Sequence, residues 1–288
     1  MDIGELKIIK AVADAGSFSG AAAELNYVQS HISTRVSLLE QEIGAPIFER
    51  HRRGVTFTQK GEQFLKYAND MTRILEEANR LMSENDIPGG TLRIVSMQTS
   101  AQTILPPLLS QYHKRFPDVR LEIRTGTSAR NIRSVLDHDA DLAFAAEKVR
   151  QKELSCHVVS EEELVLLTSE RTPKEMTAAE LSSRTLLVFP KGCAYRAMLE
   201  RYLAASRIAL PDVIEFDSLP AILAAACSGL GVTLLPLAVA KSYIRDRYLY
   251  AHRIPDQYSR LPLCLIHRKE GYRPSALTQM LKLCREIR

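Results

Sequence analysis

Residues 6–61 read LKIIKAVADAGSFSGAAAELNYVQSHISTRVSLLEQEIGAPIFERHRRGVTFTQKG and decide the fold of the first part of the chain. Apolar side chains recur at helical spacing over positions 6–13 and stop at Gly16, which predicts a first helix. Positions 21–25 predict a second short helix, and apolar positions 32–43, followed by a glycine, predict a third. Two helices joined by so short a turn are typical of a helix-turn-helix unit.

A short hairpin and a long helix are predicted next. Residues 47–50 and 55–58 have strand character, and His51-Arg52-Arg53-Gly54 between them is a turn with glycine at its tip. Thr58 can cap a helix over 59–85, whose apolar residues lie alternately four and three positions apart. They are Phe64, Ala68, Met71, Leu75, Ala78 and Met82. Packing inside its own domain is one explanation of this seam, but so small a core favours a dimerising coiled coil.

The segment Ile87-Pro88-Gly89-Gly90 separates a charged helical stretch from the apolar run TLRIVSM, and we place a domain boundary there. From residue 91 strands and helices alternate, which predicts an α/β fold with parallel sheets and helices on both faces. About 200 residues are enough for two lobes. We expect the chain to cross between them at Glu163 to Glu170 and at Pro262 to Glu270, so that lobe I holds about 91–162 and 268–288 and lobe II about 163–267.

The charge distribution locates a basic cluster. The chain carries a net charge of +4, yet residues 1–90 hold 10 Lys and Arg against 13 Asp and Glu. Between Arg50 and Lys60, however, Arg52 and Arg53 add to the positive charge and there is no acidic residue. This local run, rather than the net charge, indicates contacts with the phosphates of nucleic acid.

Composition excludes several classes of protein. Hydrophobic residues at 45% and charged residues at 25% are typical of a globular protein. There is no long apolar run and no signal-like amino terminus, so we expect a cytoplasmic protein with no membrane contact. The five cysteines show no CxxC spacing, so we expect no zinc site, and we expect no cofactor.

The predicted third helix carries polar side chains of the types that read base edges when a helix lies in the major groove of DNA. Ile32 and Val36 are expected to pack inward. This leaves a polar face made of Gln29, Ser30, Ser33 and Thr34, with Arg35 able to reach phosphate or guanine.

The stretch as a whole resembles the winged helix-turn-helix segment of the LysR-type transcriptional regulators. The resemblance rests on GSFSGAAAELN, QSHIS, LLEQEIGAPIFER and RRGVTFTQKG, in the order and separation that the family shows. It implies a winged helix-turn-helix DNA-binding domain over 1–58, a dimerising linker helix over 59–87 and an effector-binding domain over 88–288. The last is similar to the two-lobed periplasmic solute-binding proteins.

The resemblance also implies roles for single residues. Gln29, Ser30, Ser33 and Thr34 would face bases, and Arg35, Arg52 and Arg53 would contact the DNA backbone or the minor groove. Val28 stands where the family usually has serine, so a hydroxyl cap is missing and Asn26 or backbone geometry must substitute. His31 replaces the usual alanine and is either a further DNA contact or an exposed surface histidine.

Effector-binding residues are expected where strands of the two lobes end, since helix amino termini there present free N–H groups. By similarity to the family, Thr99, Ser100, Thr127 and Ser128 line the pocket from lobe I, and Cys193 and Ser218 from lobe II. Lys191 and Arg196 flank Cys193, which favours an anionic effector and would lower the pKa of the thiol. The alternative is that Cys193 is a redox sensor, with Cys227 as its resolving partner.

Other functions fit less well. A solute-binding receptor would need a signal peptide, and an enzyme on the same lobes would need a motif such as GxSxG, GxGxxG, GxxxxGK[ST] or HExxH, none of which occurs. We therefore expect a regulator rather than an enzyme. Its expected partners are an interrupted palindrome in duplex DNA, a small effector, and further copies of the chain as a dimer or tetramer, with RNA polymerase as a further candidate.

Overall fold

The computed structural model of the chain describes residues 1–51, 54–83, 88–171, 176–269 and 273–286. The chain divides into two compact units, Met1–Glu84 and Asn85–Arg288. Among the described residues, no helix combines the length and the apolar character that crossing a membrane requires.

Three helices form most of the first unit: α1 (Ile3–Ala15), α2 (Phe18–Leu25) and α3 (Gln29–Ile43). Asp2 and Glu5 make a capping box at the start of α1, and Gly16 ends that helix in the left-handed conformation. The predicted inward positions Ile32 and Val36 are buried. They pack with side chains of α1 and α2 in one core, which fixes the orientation of α3.

A hairpin and a long helix complete this unit: β1 (Phe48–His51), β2 (Gly54–Phe57) and α4 (Gln59–Ser83). The hairpin is antiparallel, with Phe48 opposite Phe57. The amide of Gly61 donates to Thr58 Oγ1 at 2.9 Å, so Thr58 caps α4 as expected. A side chain at Gly61 would collide with the carbonyl oxygen of Ile47, which accounts for glycine there.

The apolar surface of α4 agrees with the predicted seam at Met71, Ala78 and Met82, which are exposed, and differs from it at Phe64 and Ala68. Ala68 is buried and Phe64 packs against the core of its own unit, because α1 and β2 cover the beginning of this helix. The exposed apolar residues lie on a neighbouring face. They are Tyr67, Met71, Ile74, Ala78 and Met82, and we call them the exposed stripe.

The second unit begins with lobe I. Its strands β3 (Gly90–Ser96), β4 (Val119–Thr125) and β5 (Leu142–Ala145) are parallel to one another, with β3 in the middle. Its helices are α5 (Gln98–Thr103), α6 (Leu105–Arg115) and α7 (Ser128–Leu136).

The rest of the unit completes both lobes. A long strand, β6 (Leu154–Thr168), is followed by the lobe II elements α8 (Ala178–Leu181), β7 (Leu186–Val188), α9 (Ala194–Ala205), β8 (Val213–Glu215), α10 (Leu219–Cys227), β9 (Thr233–Pro236), α11 (Leu237–Arg245) and β10 (Tyr250–His252). The chain returns to lobe I through β11 (Arg260–Arg268) and α12 (Ser275–Glu286). The large sheet has the order β10-β6-β11-β5-β3-β4, with β9 also on β6.

Three features of the lobes differ from the sequence-based prediction. The large sheet is mixed, because β11 runs antiparallel to β5 and β6, and β6 antiparallel to β9 and β10. The runs LSCHVVS (154–160) and ELVLLTSE (163–170), which look like two strands in the sequence, form one strand, β6, which pairs with β11 up to Glu163 and with β9 from Leu164. Because residues 264–266 of β11 pair with β5, the chain re-enters lobe I before the predicted residue 268.

Candidate functional sites

The exposed face of α3 carries most of the predicted reading residues. Gln29, Ser30, His31 and Thr34 are exposed, whereas Ser33 is half-buried. Because Ile32 and Val36 are held in the core, this polar face is fixed outward. A helix presented in this way fits the major groove of duplex DNA.

The start of α3 has no side-chain cap. Val28 occupies the capping position without a capping hydrogen bond, and its side chain is 68% exposed. Asn26 takes the left-handed conformation (φ 56°) and ends α2 instead. The first turn of α3 is therefore held by backbone hydrogen bonds, such as that from the amide of His31 to the carbonyl oxygen of Val28 at 3.0 Å.

His31 has an aromatic neighbour on this face. Its ring stacks on that of Tyr27, with 4.8 Å between ring centroids. Both side chains are exposed, so the stack lies on the surface of the reading helix.

The structure assigns Arg35 a role that differs from the prediction. Its Nη2 lies 2.7 Å from a carboxylate oxygen of Asp2 and 3.6 Å from one of Glu5. The guanidinium is thus held by two acids at the start of α1, which neutralise it locally. Arg35 connects α3 to α1 here and is not presented as a free cation for DNA.

Arg50 is a residue that the sequence analysis placed in the basic cluster without a specific role. From β1 it donates to Ser33 Oγ at 3.3 Å and to Ser37 Oγ at 3.1 Å, and its guanidinium lies 4.8 Å from the ring centroid of Phe18. It therefore connects the hairpin to α3. This contact also explains why Ser33 is less available than its neighbours.

The start of β2 is anchored to the carboxyl end of the first helix. The amide of Val55 donates to the carbonyl oxygen of Gly16 at 3.0 Å, and a side chain at Gly54 would collide with that same oxygen. Arg52 and Arg53, the predicted backbone or minor-groove contacts, lie outside the described residues.

A cavity of about 650 Å³ lies between the lobes of the second unit. Five of the eight predicted effector residues line it: Thr99, Thr127, Ser128, Lys191 and Cys193. Met97, Gln98 and Asp217 also line it, within the segments that the sequence places at the strand ends, whereas Arg130, Phe189 and Tyr195 line it without any signal in the sequence. The cavity is where the carboxyl ends of β3, β4 and β7 meet, as expected for such lobes.

Three predicted effector residues do not line this cavity. Ser100 is fully buried, and Ser218 is half-buried at the start of α10. Arg196 donates to Glu200 at 2.8 Å and to Glu215 at 2.6 Å. Because two carboxylates already hold its guanidinium, Arg196 stabilises lobe II and is not an anion ligand in this structure.

The thiol of Cys193 is not activated. The residue is 7% exposed at the capping position of α9, and its burial raises the pKa of the thiol despite the nearby backbone amides and Arg196. Burial also raises the pKa of Cys227. The predicted lowering of the Cys193 pKa is therefore wrong, since desolvation outweighs the helix terminus.

Polar contacts connect the two lobes across the cavity. Gln98 Nε2 donates to the carbonyl oxygen of Asp217 at 2.6 Å, and the amide of Leu219 donates to Gln98 Oε1 at 2.6 Å. The amide of Ala129 donates to the carbonyl oxygen of Gly192 at 3.3 Å. These contacts hold the lobes together around the cavity.

A buried chain of hydrogen bonds joins Thr99, Tyr195 and Glu162 next to the interlobe cavity. Tyr195 donates its hydroxyl proton to Glu162 Oε2 at 2.7 Å, and Thr99 Oγ1 lies 2.7 Å from that hydroxyl, placed to donate to it. Burial raises the pKa of Glu162 to about 7, although the bond from Tyr195 opposes the change. In the sequence Glu162 is one of three consecutive glutamates, which offers no signal that it is buried.

Family models match both units. Residues 3–62 match the model of the bacterial regulatory helix-turn-helix proteins of the lysR family, and residues 85–287 match the LysR substrate-binding domain.

Relatives and solved structures cover the whole chain. The chain is 36% identical over 286 residues to the transcriptional regulator CzcR of Bacillus thuringiensis subsp. konkukian, which covers 99% of this chain and 98% of the relative. It is 35% identical over 286 residues to the transcriptional regulator GltR of Bacillus subtilis, and the matched region covers 99% of this chain and 97% of GltR. The crystal structure of full-length CbnR with its target DNA has a TM-score of 0.74 at 22% identity and covers 100% of both chains, which shows the same fold.

Proposed function

The chain belongs to the LysR family of transcriptional regulators, and we propose that it reads duplex DNA with α3 while a small anion in the interlobe cavity controls it. The proposal that α3 reads DNA rests on one observation: the polar face of α3 is exposed, while its apolar face is buried in the core of the unit. The second part rests on the cavity between the lobes of the effector-binding domain. Substrate turnover has no part in this proposal.

We expect base contacts from four exposed side chains, Gln29, Ser30, His31 and Thr34. Ser33 makes a weaker candidate because Arg50 donates to its hydroxyl. Arg52 and Arg53 remain the expected phosphate or minor-groove contacts, on the basis of their place in the predicted wing. Phosphate contacts supply affinity for any sequence, whereas contacts to base edges supply the choice of sequence.

The test compares Gln29→Ala with Arg52→Ala in duplex titrations at several salt concentrations. Arg52→Ala is expected to weaken binding to all duplexes and to reduce the salt slope by about 1. Gln29→Ala is expected to relax the preference at one base pair while retaining that slope. Arg245→Ala, which removes an exposed cation from the second unit, is the matched control. Unchanged binding by both test variants would refute the assignment.

We propose that α4 pairs two chains. The exposed stripe offers apolar side chains at spacings of three and four residues, as a helix-helix contact requires. A two-fold axis through α4 would place two copies of α3 on two half-sites of an interrupted palindrome. Further pairing to a tetramer and contact with RNA polymerase remain predictions from the family resemblance.

The interlobe cavity supports an anionic effector. Lys191 and Arg130, both exposed, supply positive charge at the cavity. Asp217 is the single acidic residue among the described lining residues. The positive charge therefore exceeds the negative charge at this site.

Calorimetric titration of the full chain with a panel of mono- and dicarboxylates tests this part. Lys191→Ala is expected to weaken any carboxylate that binds by roughly tenfold, as the loss of a charge-assisted hydrogen bond implies. Lys152→Ala, which removes an exposed lysine from outside the cavity, should leave the affinity unchanged. Preferential binding of neutral or cationic compounds would contradict the proposal.

A further inference from the structure

Lobe I contains a second cavity, separate from the interlobe cavity. Its volume is about 310 Å³, within the range of small-molecule sites and too small for a helix. It lies among α6, α12, β5 and β6 and is lined by Ile104, Pro107, Leu108, Gln111, Phe144, Val159, Ser160 and Cys284.

A β-bulge builds one wall of this cavity. Leu263 of β11 pairs with Ser160, whereas Cys264 pairs with Val158, so Val159 is an extra residue in β6. Side chains normally alternate between the two faces of a strand, but the bulge lets the consecutive residues Val159 and Ser160 both line the cavity. Bulges are often found where a strand must direct a side chain toward a site.

The bulge leaves a polar atom without a partner. Ser160 Oγ is buried and, within the described ranges, has no hydrogen bond. A buried hydroxyl in that state costs free energy, so it is placed to bond with a group that enters the cavity. Gln111 adds a side-chain amide to the lining of this cavity. No charged side chain occurs among the described lining residues.

We propose that this cavity binds a small neutral molecule that combines an aromatic or branched apolar body with one hydroxyl group. Ile104, Leu108 and Phe144 would contact the apolar body, and Ser160 would bond with the hydroxyl. A charged molecule is excluded because nothing in the described lining would compensate its desolvation.

The position of the cavity separates it from the anion site. Helix α5 starts with Gln98 and Thr99 in the interlobe cavity and ends at Thr103, and the next residue, Ile104, lines the second cavity. The two sites are therefore neighbours with different chemistry. The proposal concerns this neutral site and is independent of whether the chain binds DNA or an anion.

The probes are 4-fluorophenol and fluorobenzene, observed by fluorine NMR with the full chain. Both are expected to bind, with 4-fluorophenol the tighter. Ser160→Ala should weaken 4-fluorophenol by about two- to tenfold, the value of one neutral hydrogen bond, and leave fluorobenzene unchanged. Lys191→Ala, in the other cavity, is the matched control and should change neither probe.

A second measurement keeps the test valid if Ser160→Ala folds poorly. In the wild-type chain, 4-fluorophenol should shift the backbone amide signals of Phe144 and Val159 more than those of Thr127 and Lys191. Absence of binding by both probes at millimolar concentration would overturn the proposal. So would an equal loss of both probes in Ser160→Ala, or signal shifts confined to the interlobe cavity.

Discussion

Val28 occupies the capping position of α3, where a side chain with an oxygen acceptor is usual, and the fold is unchanged. The residue holds the capping position of α3 yet offers no oxygen to the first free amides of that helix. The core beneath Ile32 and Val36 holds the helix in place instead.

Val28→Ser is expected to stabilise the start of α3 by about 1 kcal/mol, because the new hydroxyl can accept from a first-turn amide. Hydrogen exchange at the amide of Ser30 should slow about fivefold as a result. Val28→Ala, which removes the same apolar side chain without adding an oxygen, is the control and should not slow exchange. Equal exchange in the serine and alanine variants would contradict this explanation.

Glu162 gives the protein a dependence of stability on pH. Burial raises its pKa to about 7 in the folded chain, above the ordinary value for glutamate, so the folded state holds the proton more tightly than the unfolded state. This contribution is fully present below about pH 4.5 and is lost as the pH rises through about 7.

Glu162→Gln is expected to remove that part of the pH dependence, because an amide oxygen can still accept from Tyr195 and does not titrate. Thermal unfolding between pH 5 and pH 8 measures it. The wild-type midpoint should fall relative to that of the variant as the pH rises. Parallel profiles for the two proteins would mean that Glu162 ionises without cost.

Whether an arginine is available to bind a ligand or DNA is not predicted well from the sequence. The sequence predicts that Arg35 and Arg196 are available cations, but Arg35 is held by Asp2 and Arg196 by Glu215, each from a distant part of the chain. These two pairings depend on tertiary contacts that local spacing does not contain, whereas the second partner of Arg196, Glu200, lies four residues along the same helix. The exposed positions of Gln29 and Thr34, in contrast, follow from helical periodicity alone.

At the scale of elements, the helices of the first unit and the cap of α4 agree with prediction because their signals are local. The surface of α4 agrees only in part, because the predicted seam combines residues of two faces, with Met71, Ala78 and Met82 exposed and Phe64 and Ala68 packed within the unit. Ala68 and Thr72 are buried within the unit, whereas the exposed stripe lies on the neighbouring face. Spacing alone does not distinguish a face covered by the chain's own core from one left for a partner.

Ile74→Glu is expected to weaken self-association by at least tenfold, since it places a charge in the centre of the exposed stripe, where Ile74 is 57% exposed. Sedimentation equilibrium over a range of concentrations measures the change. Asn69→Glu puts the same charge on an exposed position outside the stripe and should leave association unaltered. If both variants associate like the wild type, α4 is not the contact between chains.

At the scale of the second unit, the alternation of strands and helices predicts two lobes, while the antiparallel path of β6 and β11 is not predicted. A strand that changes partners at Leu164 looks like two short strands in the sequence, because burial on one side changes along its length. The interlobe cavity is predicted in position, yet Gln98 and Tyr195, two of its central residues, carry no motif.

Gln98→Ala is expected to loosen the contact between the lobes, because it removes both 2.6 Å hydrogen bonds to the start of α10. Hydrogen exchange at the amide of Leu219 should accelerate by several-fold. The amide of Val95, within the β3 ladder, provides the internal reference. Unchanged exchange at Leu219 would show that other contacts hold the lobes.

The polar face of α3 is proposed to select a DNA sequence for a chain that is paired through α4. Selection from a pool of random duplexes by the full-length protein measures that choice of sequence. We expect enrichment of two half-sites related by two-fold symmetry, with the preference at one base pair of each half-site lost in Gln29→Ala. Enrichment of no sequence, or the same sequence preference in Gln29→Ala and Thr34→Ala as in the wild type, would contradict it.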